Sequence, residues 1–208
     1  MKKKYKTLLI IIVICIILII GLLVIKNMKN EEVKNNVKVV DSIVDFSYTL
    51  DERDTSLMKE NYKELKKILK EKDINYEEYS QIIAKLFIID LFTMDNKINK
   101  YDVGSLEYVY PETIDNFKLN IEDTIYKSME DNTYDKRVQE LPIVKSIEVI
   151  DTKTSTFKIN EEELDSFIVT LNWEYEKDLG YDKEATITLI KENKKVYVVE
   201  YKAGALNE

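Results

Sequence analysis

Hydrophobic and polar positions divide the chain into regimes with different periods. Residues 7–25, which open on Thr7 and close on Ile25, are 19 residues without a charge. As a helix they span ~28 Å, close to the ~30 Å apolar core of a bilayer. Residues 27–40 are polar and without a period, a tether. Val44, Phe46, Tyr48 and Leu50 then alternate with polar residues, which predicts a short strand or extended arm. Met58, Tyr62, Leu65, Ile68 and Leu69 recur at helical spacing, predicting a helix over 55–72. A second helix opens at Asn75, with Glu78 three residues on as in a capping box. Its stretch 82–92 is apolar nearly all round, so it should be the central helix, packed on at least two faces. Residues 103–110 suggest a short extended piece. Pro111 suits the first turn of a third helix, whose face is Ile114, Phe117, Ile121, Ile125 and Met129. After Pro142 the period becomes two. Strands are expected over 143–150 with a turn at 151–155 and a continuation at 156–159, then over 167–175, 185–190 and 196–201, the last two joined by a tight hairpin at 192–194.

Helices followed by a meander of strands predict an α+β fold: an N-terminal transmembrane helix, then three helices packed on a curved antiparallel sheet of about four strands. The expected division is a cytoplasmic tail (1–6), a membrane span (7–25), a tether with a possible arm (26–50) and an extracytoplasmic domain (51–208). The span lacks the short apolar core and small-x-small site of a cleaved signal peptide. Cys15 follows Ile14 rather than a small residue and lies mid-span, unlike a lipobox cysteine. It reads as a thiol among lipid tails.

Charge sets the orientation. Lys2, Lys3, Lys4 and Lys6 precede the span with no acid among them, whereas Lys26 and Lys29 are diluted by Glu31 and Glu32. The Lys-rich flank stays in the cytoplasm, so the domain is expected outside the cell membrane. The formal charge of −8 then splits into +4 inside and −12 outside, from 39 acids and 27 bases beyond residue 25. An acidic domain argues against a nucleic-acid partner. The expected partners are the bilayer, through Thr7 to Ile25, and other proteins.

Composition removes much chemistry. The chain has no His, one Cys and four Gly. Histidine-dependent triads and metal sites, cysteine zinc clusters, an internal disulfide, the dinucleotide fingerprint and the Walker loop are all excluded. Neither a cofactor nor a metal is expected. Ser56-Leu57-Met58-Lys59 matches the S-x-x-K pattern of penicillin-binding serine enzymes, but the S-D-N and K-T-G companions are missing. The stretch 95–99 imitates the start of a calcium loop but lacks its later acids and glycine.

Three residues remain as a candidate pocket. Asp90 lies in the apolar stripe of the central helix, four residues after Leu86, three after Phe87 and four before Met94. A carboxylate there either lines a cavity with a raised pKa, as proton transfer needs, or is held by a Lys, Arg, Tyr or backbone amide. Trp173, the one tryptophan, would roof a ligand site or fill the core. Tyr108, with Tyr101 and Tyr110, would rim a site or staple the inter-helix loop to the sheet.

The helix-then-sheet order behind one anchor resembles the cystatin-like, nuclear-transport-factor-like cone fold, and in layout inner-membrane assembly components of type IV secretion and conjugation machines. The stretches Tyr48-Thr49-Leu50-Asp51-Glu52-Arg53-Asp54-Thr55, Ala84-Lys85-Leu86-Phe87-Ile88-Ile89-Asp90 and Asn99-Lys100-Tyr101-Asp102-Val103-Gly104 resemble an uncharacterised family of membrane-anchored Gram-positive bacterial proteins. These resemblances imply a location and no activity. The expected function is a non-catalytic interaction or scaffold domain of an envelope assembly. The alternatives are a pocket for a small molecule or wall fragment, and an enzyme using Asp90 for proton transfer.

Overall fold

The two α-helices that pack on each other are each opened by a side-chain cap. In the structure, a computed structural model describing residues 37–204, α1 spans Ser56–Ile68 and α2 spans Tyr76–Phe92. The Thr55 hydroxyl accepts from the Met58 amide at 3.2 Å, and the Asn75 side chain accepts from the Glu77 and Glu78 amides. Glu77 and Glu78 also sit favourably at the positive end of the helix dipole. α1 stops four residues short of the expected end because its last turn tightens. The Lys70 and Glu71 amides bond three residues back, to the Lys67 and Ile68 carbonyls.

α2 is the central element, as its apolar run requires. Eleven of its 17 residues are buried. It packs on α1 and on all four strands of the main sheet. That sheet is antiparallel in the order β3-β4-β5-β6, with β3 Val144–Ile159, β4 Glu162–Tyr175, β5 Glu184–Glu192 and β6 Lys195–Ala203. The inward residues Val169, Leu171, Trp173, Ile187 and Leu189 meet Phe87, Phe92 and the other buried side chains of α2. The described part is therefore α+β, with three helices and a four-stranded sheet.

The differences from the predicted elements have local causes. The turn expected at 151–155 is absent. β3 runs through it with a bulge between Val149 and Asp151, which turns Ile150 out to solvent. Thr152, Thr154 and Thr156 continue the strand, consistent with the β preference of branched side chains. The real turn is Asn160-Glu161, both at positive φ, as a two-residue hairpin of the primed kind requires. Near the N-terminal end, β1 Val39–Ile43 pairs with β2 Tyr48–Asp51, and the Val44 and Phe46 expected in a strand form a single 3-10 turn between them. α3, Ile114–Asp123, follows a 3-10 turn at Pro111–Thr113 and ends six residues before Met129. The chain leaves the helix so that Tyr126 can bury completely and donate its hydroxyl to the Leu91 carbonyl at 2.7 Å. The extended piece expected over 103–110 is a 3-10 turn, Leu106–Tyr108, followed by a parallel bridge from Val109 to Val198 that covers the β6 edge.

Among the described residues no helix is long and apolar enough to cross a membrane. The predicted span at 7–25, with Cys15, lies outside the described residues.

Candidate functional site

Asp90 lies on the last full turn of α2, where the following loop folds back over it. Its side chain is 18% exposed and lines a cavity of about 270 Å³ between β2, the start of α1, the end of α2 and the loop 97–107. Both carboxylate oxygens are engaged. Lys97, only 6% exposed, donates its ammonium to Oδ1, and the Ser105 backbone amide donates to Oδ2. Ser105 has a left-handed backbone (φ 69°) that aims this amide at the carboxylate, and its hydroxyl donates to the Phe87 carbonyl at 2.7 Å.

Gly104 makes this approach possible. A Cβ at that position would stand 2.5 Å from the Asp90 carbonyl oxygen and 2.9 Å from Asp90 Oδ1. Only a residue without a side chain lets the loop lie this close to α2.

A second ion pair closes the other wall. Arg53 Nη1 donates to Asp102 Oδ2 at 2.7 Å, and the same oxygen accepts from the Ile98 amide at 3.0 Å. Burial raises the pKa of Asp102, but the hydrogen bonds and charge of Arg53 and the Ile98 amide outweigh it, so its carboxyl ends below the ordinary value. Arg137, with a side chain 3% exposed, pins the loop from outside by donating to the Lys97 and Asp95 carbonyls.

Two further acids face the cavity, neither in a salt bridge with a described residue. Asp54 accepts from the Asp51 amide at 2.6 Å, and Glu107 accepts from the Thr49 amide at 3.0 Å and hydroxyl at 2.9 Å. Burial, reinforced by the charges of Asp51 and Asp90, lifts Asp54 from 3.8 to about 6, and burial with the charge of Asp90 lifts Glu107 from 4.5 to about 7. A carboxyl whose pKa is raised by folding binds its proton more tightly in the folded state. Stability therefore falls as pH rises from the unfolded values towards about 7. With no histidine in the chain, no ordinary side chain competes in this window. Urea unfolding followed by Trp173 emission should show lower stability at pH 7.5 than at pH 5, and Asp54→Asn/Glu107→Gln should flatten that slope. An unchanged slope in the double variant would assign it to other groups.

The structure does not bring the three candidate residues into one pocket. Trp173 is buried between the sheet and α2, its ring 5.3 Å from that of Phe92. Tyr108 is fully buried, its ring 5.5 Å from the Tyr48 ring. Neither residue lines the cavity. Tyr108 and Tyr110 staple the loop to the sheet, since the Tyr110 amide donates to the Val198 carbonyl, whereas Tyr101 is 61% exposed. Ser56 and Lys59, of the S-x-x-K match, are both exposed on α1.

Lys97, Arg53, Asp102, Gly104 and Arg137 were not identified from the pattern of polar residues. The stretches 48–55, 84–90 and 99–104 all border this cavity. Comparison of the chain with protein-family models, with curated proteins and with solved structures gives no match.

Proposed function

We propose that the protein is a single-pass, membrane-anchored component of a bacterial, Gram-positive envelope, whose domain lies outside the cytoplasm and acts as a non-catalytic interaction or scaffold element. The apolar run at 7–25 and the lysines before it support the anchor and its orientation. Three helices followed by a four-stranded antiparallel sheet support the cone-type reading of the domain.

The observation that carries the non-catalytic reading is the engagement of Asp90. A general base needs a lone pair within reach of a substrate proton. Here Lys97 donates to one oxygen and the Ser105 amide to the other, so that both oxygens are held in one fixed orientation by the loop. The group ties a loop to a helix end. A second reading, a pocket for a small ligand, draws support from the cavity itself, where Asp54, Glu107 and Arg53 converge. At about 270 Å³ it lies just under the usual range for ligand sites. Calorimetric titration with small cationic metabolites showing saturable binding that Glu107→Gln removes would favour it.

Two experiments test the main reading. Alkaline extraction should leave the full chain in the membrane pellet, and protease added to intact protoplasts should digest the domain. Release into the supernatant, or full protection, would contradict the topology. Cross-linking in native membranes followed by affinity capture of the full chain should recover discrete protein adducts. A chain recovered only without adducts would contradict an interaction role.

A further inference from the structure

α1 and the tight turn that follows it carry an ordered row of charge. Lys59, Lys63, Lys66, Lys67 and Lys70 follow one another at i, i+4, i+7, i+8 and i+11, so they share one flank of the helix, while Glu60, Glu64 and Glu71 take the adjacent strip. The lysine flank forms one wall of a groove of about 430 Å³ between α1 and the β1–β2 hairpin, with Leu50 and Tyr62 also lining it. Lys66 is tied to Asp41 of β1 at 2.7 Å. The side chains of Lys59, Lys63, Lys67 and Lys70 are exposed and make no ion pair or hydrogen bond with any described residue. In a domain of net −12, this is a concentration of positive charge, with Asp41 at one side of the groove and the Glu60, Glu64 and Glu71 strip beside it.

The complementary feature is on the same chain. β4 pairs with β5 only from Ser166 onward, so residues 156–159 and 162–165 form a two-stranded arm that runs past the rest of the sheet. Around its tip stand Glu161, Glu162, Glu163 and Asp165, all exposed, with side chains in no ion pair or hydrogen bond with a described residue. Lys158, cross-strand from Glu163, is the arm's one cation. Four acids on a narrow ribbon match four open lysines along a groove.

We infer that the lysine groove of one copy receives the acidic arm of a second copy, so that the protein self-associates groove to arm. The inference rests on the interaction reading above and names its partner. Such a contact is heterologous, joining two different patches of the same chain. Copies anchored in one membrane share a thin layer, which raises their effective concentration and lets a modest contact suffice. An anionic bilayer is a poorer match. The groove is concave, and Glu60, Glu64 and Glu71 on the neighbouring strip of α1 would be pressed towards the same lipid surface.

Detergent-solubilised full chain, mixed as ¹⁴N- and ¹⁵N-labelled copies, is treated with a carbodiimide that joins lysine directly to carboxylate. Mixed-isotope cross-links between the α1 lysines and the 161–165 tip are expected, weakening as salt rises from ~0.1 M to ~1 M. Lys63→Glu/Lys67→Glu should lower the cross-linked fraction about tenfold, as should Glu162→Lys/Glu163→Lys, and mixing the two variants should restore it. These positions are exposed, so Trp173 emission should report an unchanged fold in both. Cross-links that survive either charge reversal, or a lone chain that instead binds phosphatidylglycerol vesicles through the groove, would overturn the inference. If adducts with other proteins persist in the reversed variants while self-association is absent, the interaction role stands and the second copy as partner falls.

Discussion

Lys97→Ala destabilises the domain by about 3–5 kcal/mol, the usual cost of leaving one member of a buried ion pair without the other. Lys97 is 6% exposed and Asp90 18%, so the abandoned carboxylate regains little water. Among the described residues, the Ser105 amide alone would remain as its direct hydrogen-bond partner. The loop would also lose the anchor that sets the Arg137 contacts, since Arg137 donates to the carbonyl of Lys97 itself. Asp90→Asn/Lys97→Met removes both charges, keeps an acceptor for the Ser105 amide and preserves most of the lysine's apolar volume. It should recover most of the loss, because a buried pair is often replaceable as a unit. Urea unfolding of the three chains, with Trp173 as reporter, measures the coupling. A single variant no less stable than the double one would mean that the pair is solvated and weak.

Gly104→Ala is the second large effect, at about 3 kcal/mol. The added Cβ would meet a backbone oxygen at the end of α2 rather than the tip of a flexible side chain, so relief requires moving the loop off the helix. That movement would also lengthen the Ser105 hydrogen bond to Asp90. Gly180→Ala serves as the comparison. Its φ of +82° is strained for alanine, but nothing lies within 4 Å of the new methyl, so only the left-handed backbone cost of about 1–2 kcal/mol applies. Equal costs at the two positions would show that the loop over Asp90 is not closely packed.

Both effects depend on a loop that folds back over the helix just before it, with partners 7 to 15 residues apart, and no hydrophobic period marks such a fold-back. The buried core of α2 was legible because an all-apolar run has nowhere else to go, and Asn75 named its start. The β5–β6 hairpin was legible from alternation and from Asn193, which takes the positive φ its turn needs. The bulge at Ile150 was not, since threonine and aspartate read as a turn until a partner strand supplies their hydrogen bonds. Nor was the break after Asp123, where the burial of Tyr126 under α2 overrides a helical stripe that continues to Met129. Asp90 stood out as a carboxylate in an apolar face. Its partner did not, because Lys97 is one of many lysines, and only the fold-back at Gly104 and Ser105 distinguishes it. Trp173 and Tyr108 were drawn to a pocket by residue type, whereas packing places both in closed surroundings.

The most direct test of the central claim, that the domain works by contact and Asp90 serves structure alone, is membrane cross-linking of the Asp90→Asn/Lys97→Met full chain. The same set of adducts as for the native chain is expected, in similar yield, with the domain folded by Trp173 emission. A folded variant that loses those adducts, or that loses a turnover the native chain displays, would contradict it.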